Sequence, residues 1–71
     1  MVLAVFRSKT ETLNFASLLR SYGVDCFVVN TPRTINVSCG ISAKFNKNQL
    51  IVAKTIIARR QFSTFAGFYD A

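Results

Sequence analysis

The chain has 71 residues, of which 51% are hydrophobic and 13% aromatic, and its nine Lys and Arg against three Asp and Glu give a formal net charge of +6. So small a chain forms one domain, residues 1–71, and buries only about 60% of the surface its unfolded form exposes, so its core must be dense in large apolar groups; this composition excludes disorder. No apolar run approaches the ~18 residues needed to span a bilayer, and the basic balance points to an anionic partner without choosing among nucleic acid, phosphate, an acidic protein face and a membrane surface.

Val2-Leu3-Ala4-Val5-Phe6 is a continuous apolar run, as expected of a central strand. It has neither a preceding basic segment nor a small-residue cleavage site, so it reads as structure rather than as a signal peptide. The expected compartment is then the cytoplasm, where the two cysteines stay reduced. Ser8-Lys9-Thr10-Glu11 matches a capping box, with Ser8 accepting from the backbone three residues on and Glu11 reaching back. Phe15, Leu18, Leu19 and Tyr22 then form an apolar stripe at helical spacing, and Gly23 stands where a left-handed cap ends the helix.

Val24 to Val29 reads as a second strand, with Val24, Cys26 and Val28 on one face. Pro32 prevents its continuation, because proline cannot donate to a ladder. Residues 32–40 are loop, and Ile41, Ala43 and Phe45 alternate with polar residues in a third strand. Asn46 with Gln49 suggests a second capping box. The helix behind it runs to about Arg60, with Leu50, Ala53 and Ile57 on one face. Phe62 to Tyr69 forms a fourth strand, with Gly67 placed for a bulge.

The order β-α-β-β-α-β with right-handed crossovers defines an α+β, ferredoxin-like fold. Its four-stranded antiparallel sheet has both helices on one face and strands one and three at the centre. An open sheet with another strand order is the competing architecture. In the ferredoxin-like topology the start of the first helix, the loop holding Cys39 and the end of the second helix all lie at one end. Arg7, Lys9, Arg33, Arg59 and Arg60 belong to that end.

A helix N-terminus and nearby cations both favour a thiolate, the nucleophilic form of cysteine. Gly40 leaves its N–H free to approach the sulfur or a bound anion. Cys39 is therefore the candidate reactive group, against the competing reading of a small buried hydrophobe. Cys26 alternates with valines and reads as core. A Cys26–Cys39 disulfide needs Cα atoms within about 7 Å. The sequence contains no His, no C-x-x-C pair and no phosphate-binding glycine motif, and its three acids are far apart. A Cys–His dyad, a paired-carboxylate site and a closed zinc site are thus not expected. We expect no cofactor and no metal, and a carrier or binding protein rather than a stand-alone enzyme.

The segment Pro32-Arg33-Thr34-Ile35-Asn36-Val37-Ser38-Cys39-Gly40 resembles the selenium/sulfur carrier protein-like family of small bacterial proteins. The likeness covers nearly the whole chain, and the Pro-Arg pair followed by Ser-Cys-Gly is its specific part. It implies that Cys39 accepts sulfur or selenium as a persulfide or perselenide and passes it on, with Pro32, Arg33, Ser38 and Gly40 shaping the loop. The implied partners are a donor such as a cysteine desulfurase and an acceptor protein. The strong positive charge is not part of the family pattern.

Two other functions compete. A basic RNA-binding module would carry aromatics on its sheet face within a Lys/Arg-Gly-Phe/Tyr strand, which Ile41 to Phe45 lacks. A regulatory or assembly domain without chemistry would dimerise through its open sheet face or an edge strand.

Overall fold

A computed structural model describes residues 1–36 and 38–71; Val37, within the Cys39 loop, lies outside the described residues. The elements are β1 (Val2–Phe6), α1 (Lys9–Ser21), β2 (Cys26–Asn30), β3 (Ile41–Phe45), a short 3-10 turn (Lys47–Gln49), α2 (Leu50–Arg59) and β4 (Phe65–Asp70). All neighbouring strands are antiparallel, in the order β2-β3-β1-β4. The fold is thus the expected α+β, ferredoxin-like arrangement, with the most apolar strand at the centre. Val2, Ala4 and Phe6 of β1 join Phe15, Ala16 and Leu19 of α1 and Ala53 and Ile56 of α2 in one core cluster. Both helices therefore cover the same face. Leu3 and Val5 alternate to the other face and are also buried, at 2% and 0% exposure.

Local chemistry explains the boundaries. Ser8 caps α1 by accepting from the Glu11 amide. Gly23 ends the helix with φ +82°, in the left-handed region open to glycine. The buried stripe of α1 is Thr12, Phe15, Ala16 and Leu19, one turn earlier than the sequence suggested. Leu18 is half-buried and Tyr22 is exposed, because Tyr22 already stands at the helix cap, past the last turn packed on the sheet. At the second expected capping box Asn46 does cap, accepting from the Asn48 amide. It begins the 3-10 turn, and α2 follows only from Leu50.

β4 begins at Phe65 rather than at Phe62. Its register with β1 is regular from Val2↔Asp70 to Val5↔Gly67 and then jumps to Phe6↔Phe65. One extra residue, Ala66, is thus accommodated beside Gly67, which has φ +129°. The bulge shifts the alternation by one. Phe65 and Phe68, three apart, consequently both reach the helix-side core. There Phe6 stacks at 5.2–5.3 Å from Phe15, Phe62 and Phe65, and Phe68 lies 5.0 Å from Phe65 and 6.2 Å from Phe45. Each such pair contributes about 0.5–1.5 kcal/mol beyond its buried area. These rings are packed in the helix-side core and are not a base-stacking platform.

Candidate functional site

Cys39 sits just before β3, on the parity of Ile41 and Ala43, and so on the helix-covered side of the sheet. Its amide donates to the Phe6 carbonyl at 3.1 Å, which ties the loop to the end of the central strand. The side chain is half-buried and meets the first turn of α1: Sγ lies 3.6 Å from the Thr12 hydroxyl and 3.6 Å from the Ile41 carbonyl. The helix start and the Cys39 loop thus share one corner, as the topology required. Thr12 itself is fully buried, with its hydroxyl 2.9 Å from the Ser8 carbonyl.

Burial raises the Cys39 pKa. Hydrogen bonding with the Ile41 backbone, the Thr12 hydroxyl, its own backbone and the Ser38 hydroxyl outweighs that burial and holds the thiol below its ordinary value of 9.0. Among the described residues, no bond at Cys39 involves Arg7, Arg33, Arg59 or Arg60, and none of them figures among the causes of the lowered pKa. The groups that lower the thiol's pKa are thus close hydrogen-bonding partners.

The remaining loop residues are tied by hydroxyls. Thr31 bonds both Ser38, at 2.8 Å, and the fully buried Ser42. Ser38 donates to the Ile41 carbonyl at 3.2 Å and accepts from the Gly40 amide at 2.9 Å. Each hydroxyl has one hydrogen to give. With Ser38 spent on Ile41, the chain of donation runs from Ser42 to Thr31 to Ser38. The Gly40 N–H is therefore engaged with Ser38 and not offered to the sulfur or to an anion. What Gly40 supplies is its backbone: φ is +104°, and its carbonyl accepts from the Thr31 amide at 2.9 Å, closing the loop base.

Pro32 and Arg33 are exposed, and the Pro32 carbonyl accepts from the Ile35 amide at 3.0 Å in a turn. Arg7, at the end of β1, is exposed and donates its amide to the Thr64 carbonyl. Arg59 is the last residue of α2, and Arg60 caps it. Arg60 also lines a groove of about 450 Å³ between α1 and the segment after α2, with Asn14, Leu18 and Phe62, a lining that does not include Cys39. The structure thus joins Ser38, Cys39 and Gly40 with Thr12, Thr31 and Ser42, and leaves the arginines outside that network.

Glu11 departs from its expected role. It does not reach back to Ser8; its carboxylate accepts from the Thr64 amide at 2.9 Å and from the Thr64 and Ser63 hydroxyls. These bonds, Thr64's first, lower its pKa. They clamp α1 to the segment entering β4. Thr12 was missed in the sequence because it is polar; the signal was its place at the head of the 12, 15, 16, 19 stripe.

Cys26 is buried and its pKa is raised by burial, partly offset by Arg20. It pairs with Phe45, whereas Asn30 pairs with Ile41, the residue two beyond Cys39. The ladder from Phe45 to Ile41 alone spans about 13 Å at ~3.3 Å per residue, and Cys39 lies beyond its end. A Cys26–Cys39 disulfide is therefore excluded in this fold. Among the described residues no helix is long and apolar enough to cross a membrane.

Comparison with curated proteins and with solved structures returns no match. A family model described as "Putative Se/S carrier protein-like" matches residues 1–69. That span takes in β1 to β3, both helices, the Cys39 loop and all of β4 but Asp70, and the chain belongs to this selenium/sulfur carrier-like family.

Proposed function

We propose that the protein carries sulfur or selenium on Cys39, taking it from a persulfide or perselenide donor and delivering it to a partner protein. The observation that carries this reading is a half-buried thiol held below its ordinary pKa by hydrogen bonds, in a chain whose other thiol is buried at the far end of the β2–β3 ladder. In loading, the Cys39 thiolate attacks the outer sulfur of the donor persulfide. The donor S–S bond breaks, its inner sulfur leaves with the electron pair, and Cys39 gains one sulfur. Delivery is the same exchange in reverse, with the acceptor thiolate attacking and Cys39 leaving as thiolate. No net oxidation occurs and no cofactor enters. The donor is a protein such as a cysteine desulfurase, and the acceptor a second protein.

Incubation with a persulfide donor followed by intact-protein mass spectrometry tests this. The wild type and Cys26→Ser should gain one sulfur, and Cys39→Ser none. Equal loading of Cys39→Ser would overturn the proposal.

A further inference from the structure

Resting on the carrier reading of Cys39, a second residue acquires a role. We infer that Thr12 is the positioning residue of the thiol, a two-position donor whose hydroxyl hydrogen points to the Ser8 carbonyl while Cys39 is a thiol and turns to Sγ when the sulfur is a thiolate.

The geometry for both positions is present. The Thr12 hydroxyl stands 2.9 Å from the Ser8 carbonyl and 3.6 Å from the Cys39 sulfur. It has a single hydrogen, free to rotate about the Cβ–O bond, so it serves one acceptor at a time. With Cys39 protonated, the S–H has an acceptor in the Ile41 carbonyl at 3.6 Å and the Thr12 hydroxyl remains on Ser8. When the sulfur is ionised, the hydrogen swings to it. Neither carbonyl is then orphaned. Ser8 keeps the Thr12 amide at 3.0 Å, and Ile41 keeps the Ser38 hydroxyl at 3.2 Å. Each acceptor the exchange vacates has a second donor, so the swing leaves no buried polar group unpaired.

The same hydrogen bond would act in delivery, where the S–S bond breaks and its electron pair returns to Sγ. A donor already 3.6 Å away on a buried, β-branched side chain meets that charge without reorganising the loop. The charged groups at this corner are Arg7 after β1, Lys9 and Glu11 in the first turn of α1, and Arg33 in the loop, with Arg60 beyond α1. Glu11 is turned to Ser63 and Thr64. None of these changes in the comparison that follows.

The test is the pH profile of iodoacetamide alkylation at Cys39, in a Cys26→Ser background, for Thr12→Val and Thr12→Ser. Valine keeps the shape and removes the hydroxyl. Its midpoint should move up by roughly one pH unit, which lowers the rate at neutral pH about tenfold. The plateau at high pH should be unchanged, and Thr12→Ser should restore the wild-type midpoint. A merely structural role would lower the plateau and leave the midpoint in place. An unshifted midpoint in Thr12→Val overturns the inference. Should that variant not fold, judged by circular dichroism, Thr12→Ala must show the same upward shift. Sulfur loading of the wild type reads out separately. A shifted midpoint without loading leaves the Thr12 assignment standing and removes the carrier reading. Loading without a shift does the reverse.

Discussion

Thr31→Val cuts the hydroxyl chain under the Cys39 loop at its centre. Valine fills the same volume, so no cavity opens, but the Ser42 hydroxyl loses its acceptor. Ser42 is fully buried, and an unpaired buried donor costs about 1–3 kcal/mol. For a 71-residue domain with total stability of about 4–11 kcal/mol, that is a large fraction but not the whole. At about 4–8 °C per kcal/mol, a loss of ~2 kcal/mol lowers Tm by about 8–16 °C. The decisive measurement is a double-mutant cycle by thermal or urea unfolding. Ser42→Ala alone gives up one hydrogen bond, about 0.5–1.5 kcal/mol, since Thr31 still holds Ser38. In Thr31→Val/Ser42→Ala the orphaned hydroxyl is gone, so the double variant should be at least as stable as Thr31→Val. Strictly additive losses would refute the donor chain assigned to these three residues.

Other consequences can be read from single sites. Glu11, whose pKa the Thr64 and Ser63 bonds depress from an ordinary 4.5, contributes stability that is fully present above that value and is lost as pH falls through the lower folded value; pH-dependent unfolding of Glu11→Gln should therefore show a flatter acid limb than the wild type. Gly67→Ala should lower stability by about 1–3 kcal/mol in urea unfolding, because φ +129° strains any side chain; no loss would mean that the bulge relaxes freely. Cys26, 4% exposed with its pKa raised by burial, should label in the native state only as fast as the core opens; peptide-level mass spectrometry showing it labelled alongside Cys39 would contradict the packing described.

Much of the fold was legible because its signals are local. Ser8 and Gly23 bracket α1 by chemistry that three or four residues determine. The run at Val2–Phe6 can be satisfied only in the middle of the sheet. What the sequence hid depends on distant partners. The spacing of Ser8 and Glu11 is right for a reciprocal cap, but Thr64, 53 positions away, offers Glu11 an amide and a hydroxyl together. Strict alternation from Phe62 to Tyr69 cannot reveal that Ala66 is skipped, so it misassigns the start of β4. The Cys39 corner is legible in the topology and in the Ser-Cys-Gly signature, whereas the hydrogen-bonding partners of its sulfur are not. Charge counting sees long arginines, whereas the groups that bond the sulfur are the Ile41 backbone and hydroxyls that composition does not distinguish from surface threonine.

The separation of the two thiols along β2 and β3 fixes the kinetic order of whatever Cys39 does. A cysteine with a resolving neighbour can discharge itself, closing an internal disulfide at a rate independent of concentration. Here the neighbour is out of reach by the length of a strand. On the carrier reading, a sulfur adduct on Cys39 would persist until another molecule collides with it, and each discharge would return the free thiol instead of a dead-end bridge. Its lifetime is set by the abundance of whatever acceptor it meets, which makes the adduct a quantity that dilution alone should lengthen.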